Sequence, residues 1–362
     1  MSGPAGGGTG RLLAIETSCD ETAVAIVERG RRIHADVVAS QVALHAETGG
    51  IVPEVAARAH LRWMIPVLDE ACRRAGAEGL AGIDAIAVTE GPGLAGSLLV
   101  GITLARTLAW LHDLPLVPVN HHEGHLYAAW LLDPDEAEAD HPEPVFPCIG
   151  LVVSGGHTFL VLIRDHLDYV RLGGTIDDAA GEAFDKVGRL LGLPYPGGPA
   201  IAAAALRATR HDRRFPRAWL GDSDDFSFSG LKTAARRTVA EELGVDPDEE
   251  PDGAALPPAT VAELAWAFQE SVVDVLATKT VRAAQRHGAR SIVLGGGVAA
   301  NAALRERIAG GARALGIPLV VPRPGLCTDN AAMIGAAGWR RYLAGVRAGA
   351  DLDARPSLRL AA

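Results

Sequence analysis

The sequence predicts an α/β fold of two lobes built on one plan, and three observations carry that prediction. The chain has 362 residues, 48% of them hydrophobic, which is room for two domains of ordinary size. Apolar strand-like runs alternate with helix-periodic segments along the whole chain. A strand, a polar turn and a second strand occur at residues 11–28 and again at residues 148–164.

Composition narrows the classes of function. No apolar run reaches the ~20 residues of a membrane span, so no membrane partner is expected. Residues 1–10 are glycine-rich without a basic region or an apolar signal core, and are expected to form a disordered tail. The four cysteines, Cys19, Cys72, Cys148 and Cys327, are far apart with no CxxC, which fits reduced thiols and a cytoplasmic location. The net charge of -10 argues against a nucleic-acid partner, but its distribution does not. Residues 133–143 hold six acids and residues 241–252 hold seven, with no Lys or Arg in either stretch. Outside them 34 basic residues face 31 acidic ones, so a basic surface is open to the rest of the chain. Both acidic stretches read as solvated insertions.

In chain order, residues 11–15 and 23–28 read as strands around Glu16-Thr17-Ser18-Cys19-Asp20-Glu21-Thr22. Plain hairpins close on Asn-Gly or Asp-Gly, so seven hydroxyl- and carboxylate-rich residues favour a ligand-holding turn over a simple reversal. Residues 31–39 form a third strand. Residues 55–75 form a helix whose Arg58, His60 and Arg62 read as an ordinary wet face. Residues 84–89 form a strand that runs through the Gly91-Pro92-Gly93 turn into a helix at residues 96–111. This turn lacks both GxGxxG and the P-loop GK[ST].

Residues 114–119 form a strand leading into His121-His122-Glu123-Gly124-His125. In a helix starting near Asn120, His121 and His125 are one turn apart, with Cβ atoms roughly 6 Å apart, close enough to share a divalent metal. His122 points about 100° away. The alternative is a histidine-rich helix start without metal. Neither His-Glu-x-x-His nor His-x-x-Glu-His fits, so no protease frame is present. Asp329 is the candidate third ligand, two histidines and a carboxylate suiting ferrous iron or an open zinc site. Its competing reading is an N-cap of the helix at residues 331–344.

In the second half, residues 148–153 and 159–164 are strands around Ser154-Gly155-Gly156-His157-Thr158, a turn whose amides suit phosphate or carboxylate oxygens. Asp177 and Asp178 open a helix in which Asp185 and Lys186 lie too deep to be caps. Pro196-Gly197-Gly198-Pro199 starts another helix with exposed amides. Arg207, Arg210, Arg213, Arg214 and Arg217 read as a solvated face, with RNA contact the alternative. Phe226-Ser227-Phe228-Ser229-Gly230-Leu231-Lys232-Thr233 is distinctive, but its spacing assigns it no role. A linker is expected over residues 244–259 and an amphipathic helix over 261–286. Residues 291–294 form a strand, Gly295-Gly296-Gly297 a turn, and residues 298–315 a helix bearing Asn301, an arrangement suited to a nucleotide. A last strand covers residues 319–321.

These segments, in this order and over nearly the whole chain, resemble the TsaD-type tRNA adenosine threonylcarbamoyltransferases. The residues that carry the likeness are 15–22, 91–93, 121–125, 153–158, 177–186, 195–198, 226–233, 295–301 and 327–330. The glycine-rich start, the two acidic stretches and His122 depart from the family pattern. The resemblance implies an actin-like, sugar-kinase-like (ASKHA) two-lobed fold with duplicated sheet-and-helix lobes. The expected division is a tail at 1–10, an N-terminal lobe at 11–146, a C-terminal lobe at 147–326 with an acidic insertion near 244–259, and a segment at 327–362 that returns to the first lobe.

The resemblance also implies an Fe(2+) site at His121, His125 and Asp329, with zinc as the alternative ion. It implies that Val152, Val153, Ser154, Gly155, Gly156, Asp185, Gly198 and Asn301 hold threonylcarbamoyl-adenylate, Asp185 taking the ribose hydroxyls. The implied reaction moves the threonylcarbamoyl group to N6 of the tRNA adenosine just after the anticodon and releases AMP. A carboxylate must collect the amine proton; Asp20 is the choice and Glu21 the second candidate. A TsaB-like paralogue and a TsaE-like ATPase are expected as separate partner proteins. Two other readings remain: an actin-like ATPase or small-molecule kinase, and a non-catalytic scaffold subunit. The presence of His121, His125 and Asp329 argues against the scaffold.

Overall fold

Burial on both faces explains why the strands of the first half are almost unbroken in apolar residues. The computed structural model describes residues 8–46, 50–138, 141–246 and 251–360. Strand β1 (Arg11–Glu16) pairs antiparallel with β2 (Glu21–Glu28), and β2 with β3 (Arg32–Ser40). A short helix α1 (Val42–Ala46) and the long α2 (Pro53–Arg74) follow. Then come β4 (Ala85–Gly91), α3 (Ala95–His112), β5 (Leu116–Asn120) and α4 (His121–Tyr127). Strands β1, β4 and β5 run parallel, giving the sheet order β3-β2-β1-β4-β5. Leu13, Ile15, Ile26, Ile86 and Val88 meet Met64, Leu68, Leu98 and Ile102 in the core beneath α2 and α3.

The second half repeats this plan. Strands β6 (Cys148–Val153), β7 (Thr158–Asp165) and β8 (Asp168–Gly174) are followed by helices α5 (Ala180–Leu190), α6 (Gly197–Ala205), α7 (Ser229–Leu243) and α8 (Pro258–Arg286). Strand β9 (Ser291–Gly295), helix α9 (Ala302–Ala314) and strand β10 (Leu319–Val320) complete it. The order β10-β9-β6-β7-β8 is the first sheet's order in its duplicated form, with β6–β7 antiparallel and β6–β9–β10 parallel. Helix α10 (Ala331–Leu343) then packs on β1, β2, β4 and β5. It approaches closely because Gly335 and Gly338 carry no Cβ; one built on either would lie 2.7 Å from Val27 or Ala87.

The chain divides into two compact units. One comprises the residues up to Glu143, His166–Asp168 and Pro322 onward; the other is Pro144–Asp165 with Tyr169–Val321. Of the expected tail, residues 1–7 lie outside the described residues, while Thr9 Oγ1 donates to the Gly82 carbonyl and Gly10 N–H donates to Asp84 Oδ2 at 2.6 Å.

Two local expectations are corrected, and one strand was not anticipated. Strand β8 was not legible, because its half-exposed residues carry charge and no clean alternation. The helix expected over 298–315 is instead a 3-10 turn (Gly297–Ala300) followed by α9. Asn301 takes an extended backbone between them and its side chain accepts from Leu304 N–H, ending one element and starting the other. The acidic stretch is not wholly a solvated linker: Pro251, Gly253 and Leu256 are buried, and a Cβ on Gly253 would lie 2.2 Å from the Leu190 carbonyl oxygen.

Candidate functional site

Helix α4 starts at His121 because Asn120 caps it, its side-chain oxygen accepting from the N–H groups of His122 and Glu123. That start puts His121 and His125 on one face, ring centroids 4.6 Å apart. Asp329 faces both: its Oδ1 is 3.5 Å from His121 Nε2 and 3.2 Å from His125 Nε2. One ligand atom from each of the three lies within 4.8 Å of the others. The N-cap of α10 is Asn330, whose side chain accepts from Met333 N–H, so capping does not account for Asp329. All three residues belong to the first unit.

The donor set fits a divalent metal. His125 is 1% exposed, and neither ring nitrogen has a hydrogen-bond partner, although Nε2 lies beside Asp329. A buried imidazole of that kind is costly unless a ligand completes it. Two imidazoles and one carboxylate with open positions suit ferrous iron or zinc. Burial opposes a charge on His121, but Asp329 and Glu16 outweigh it and lift its pKa to about 9. A metal therefore competes with a proton at this ring.

Asp20 ends the turn between β1 and β2 and Glu21 opens β2, both partly buried. Burial, and then the charge of Asp329, push Asp20 above the ordinary carboxyl value, while Cys19 and His45 pull the other way. Burial and the neighbouring Asp20 push Glu21 up to about 8. Ser40 Oγ donates to Glu21 Oε1 at 2.8 Å, and Oε2 is buried without a partner. A carboxyl raised in this way is a stronger proton acceptor whenever it is ionised.

In the second unit, Val152 and Val153 are buried at the end of β6, and Ser154-Gly155-Gly156 turns beyond them. Gly155 and Gly156 face open space, so a ligand can approach their backbone. Helix α5 begins against this turn: Gly181 N–H donates to the Ser154 carbonyl at 3.2 Å, and a Cβ on Gly181 would lie 2.4 Å from that oxygen. Gly296, at φ 88°, stands as close to the Val153 carbonyl. The turn, the start of α5 and the glycine run after β9 thus meet at the carboxyl ends of two parallel strands, where open α/β sheets bind ligands. Asp185 Oδ1 accepts from Gly197 N–H at 2.7 Å, and Gly198 faces open space. Burial raises the Asp185 pKa, opposed by the amides of Gly197 and Gly198. The Asn301 side chain caps α9 and donates through Nδ2 to Gln269 Oε1 at 2.9 Å.

Several contributing residues escaped the sequence reading. Glu16, fully buried at the end of β1, reaches His121 Nδ1 at 3.1 Å; the sequence placed it in a ligand-holding turn but gave no partner for it. Glu123, 1% exposed, pairs with Arg341 of α10 at 2.7 Å. The motif at 226–233 clasps the aspartates before α5. Ser227 and Ser229 hydroxyls donate to Asp177 Oδ2 at 2.6 and 2.7 Å, and Lys232 reaches Asp178 at 3.2 Å. Three of the five clustered arginines are paired: Arg210 with Asp212, Arg213 with Glu242 and Glu263, and Arg217 with Asp274.

The duplicated sheets with the returning α10 define an actin-like, sugar-kinase-like protein of the ASKHA class. Two solved HypF structures share this fold. One, from T. kodakarensis, is 17% identical with a TM-score of 0.57, covering 93% of this chain and 48% of that one. The other, a full-length HypF in the phosphate- and nucleotide-bound form, is 14% identical with a TM-score of 0.57, covering 92% and 46%. The TsaD profile, described as tRNA N6-adenosine threonylcarbamoyltransferase, matches residues 32–336. Proteins of that name from Thermomicrobium roseum and an Anaeromyxobacter species are 54% and 52% identical. The matches cover 96% of both chains in the first case, and 97% of this chain and all of the relative in the second. The chain belongs to the TsaD family.

Proposed function

We propose that this protein is a tRNA N6-adenosine threonylcarbamoyltransferase acting on the adenosine 3′ to the anticodon, in tRNAs that read codons beginning with adenine. The observation that carries this reading, within a chain of this family, is the intact His121, His125 and Asp329 constellation. A scaffold without chemistry has no use for two buried histidines facing one carboxylate oxygen. The site would hold Fe(2+), with zinc as the alternative, and a bound ion there would supply Lewis-acid polarisation.

The substrate is a mixed carbamic–phosphoric anhydride. The N6 amine attacks the carbamoyl carbon, the bond from that carbon to the phosphate oxygen breaks, and AMP leaves with the electron pair. The amine lone pair is delocalised into the adenine ring, so positioning and proton removal matter most. Asp20 accepts the amine proton, with Glu21 second in line. The turn from Val152 and Val153 through Ser154, Gly155 and Gly156 offers amides to the adenylate. Asp185 addresses the ribose diol, and Gly198 and Asn301 complete the cradle. The tRNA base reaches the site splayed from its loop.

The protein works in the cytoplasm with a TsaB-like paralogue and a TsaE-like ATPase. No helix among the described residues is long and apolar enough to cross a membrane. Helices α2 and α3 expose Leu61, Ile65, Trp110 and Leu111, apolar side chains that a partner subunit would cover. The test is incubation with threonine, bicarbonate, ATP, an adenylate-forming enzyme, both partners and tRNA, followed by nucleoside mass analysis. Threonylcarbamoyladenosine is the expected product. ATP turnover by the isolated chain, independent of tRNA and without modified nucleoside, would move the assignment to an ATPase or kinase.

A further inference from the structure

The two histidines of the candidate metal centre are held in different ways. His125 has no hydrogen bond at either ring nitrogen, only the carboxylate of Asp329 beside its Nε2 at 3.2 Å. His121 is gripped at Nδ1, which lies 3.1 Å from Glu16 Oε2 and 3.1 Å from Ser18 Oγ. The parallel strands explain how Glu16 gets there. Ile15 of β1 pairs with Val88 of β4, and Thr89 pairs with Val119 of β5, two residues before His121. Glu16, Thr89 and the start of α4 therefore stand side by side at one end of the sheet.

Glu16 is fully buried, and donors converge on it. Ser18 N–H donates to Oε1, and Thr89 Oγ1 donates to Oε2 at 2.6 Å. An ionised carboxylate only accepts. Facing His121 Nδ1, it requires a proton on that nitrogen, which leaves Nε2, the atom turned toward Asp329, free to bind a cation.

We propose that Glu16 is the positioning residue of this centre, holding His121 with its proton on Nδ1 so that Nε2 is the ligating atom. The proposal rests on the metal reading above. Glutamine at position 16 has the same size but brings two N–H donors. One orientation sets its amide against the Ser18 N–H. The other sets it against the Nδ1 proton of His121 and favours the tautomer that blocks Nε2.

The experiment uses the full chain with zinc as the probe. Zinc affinity is measured by competition with a chromophoric chelator for wild type, Glu16→Gln, Glu16→Asp and His125→Ala. Long-range proton–nitrogen NMR of histidine-labelled, zinc-loaded wild type reads which His121 nitrogen carries the proton. The expected result is a protonated Nδ1 and a zinc-bound Nε2. Glu16→Gln should raise the zinc dissociation constant about 10–100-fold. A merely structural Glu16 would lower the melting temperature without moving zinc affinity in the folded protein, and that result overturns the proposal. Zinc bound through Nδ1 in wild type overturns it with no variant needed. If Glu16→Gln does not fold, Glu16→Asp, which withdraws the carboxylate by one methylene, carries the same comparison. Wild type that binds no zinc, or His125→Ala that binds it unchanged, overturns the metal reading itself. Normal wild-type binding with an unaffected Glu16 variant overturns only the role of Glu16.

Discussion

Replacing Arg341 by methionine tests whether α10 positions the histidine helix electrostatically. Glu123 lies between His121 and His125 on α4, its side chain 1% exposed, with Arg341 Nε 2.7 Å from Oε2. Methionine keeps much of the arginine stem but removes the cation that faces the buried Glu123 carboxylate. Removing one partner of a buried pair costs about 3–5 kcal/mol. The Arg341 side chain is 23% exposed, so water offsets part of the loss and the lower end, about 3 kcal/mol, is expected. For a unit of this size that corresponds to a fall of about 6–12 °C in the melting transition. Adding Glu123→Gln removes the buried charge and should recover about 2 kcal/mol, a coupling that a double-mutant cycle isolates. The assay is calorimetric unfolding of wild type, both single variants and the double variant at pH 7. An Arg341→Met transition within about 2 °C of wild type, or strictly additive effects, would refute the reasoning.

Asp20→Asn should leave adenylate binding by calorimetry near wild type while slowing single-turnover transfer by about 10²–10⁴-fold; a wild-type rate moves the base to Glu21. Glu21 itself, ordinarily near 4.5 but raised to about 8, keeps its proton in the folded state over a range where the unfolded chain has lost it. Stability should therefore fall as pH rises from about 4.5 to 8, and Glu21→Gln should flatten that slope in melting curves; parallel curves would contradict the shift. Gly181→Ala places a Cβ 2.4 Å from the Ser154 carbonyl oxygen, so a stability loss of about 1–3 kcal/mol with weakened adenylate binding is expected. Gly253→Val should lower the melting temperature, because the site lies against Leu190 and Leu191; an unchanged transition would restore the view of residues 251–256 as a free linker.

What the sequence by itself determined was set by local periodicity. The doubled strand–turn–strand pattern foretold the duplicated sheets, because alternation and turn chemistry act over a few residues. The spacing of His121 and His125 foretold a shared face, because a helix repeats every 3.6 residues. Charge-rich β8 and the break at Asn301 were hidden, since a strand at the edge of its sheet and a single cap leave weak local marks. Tertiary structure alone decided which distant groups meet. Glu16 and His121 are 105 residues apart in sequence, and Glu123 and Arg341 are 218 apart. Parallel pairing of β1, β4 and β5 and the return of α10 bring them into contact. The same return left Asn330 as the cap of α10 and turned Asp329 toward the histidines. A carboxylate two hundred residues from its partner has no local periodicity to announce it; only the formed sheet with a helix packed across it specifies that distance.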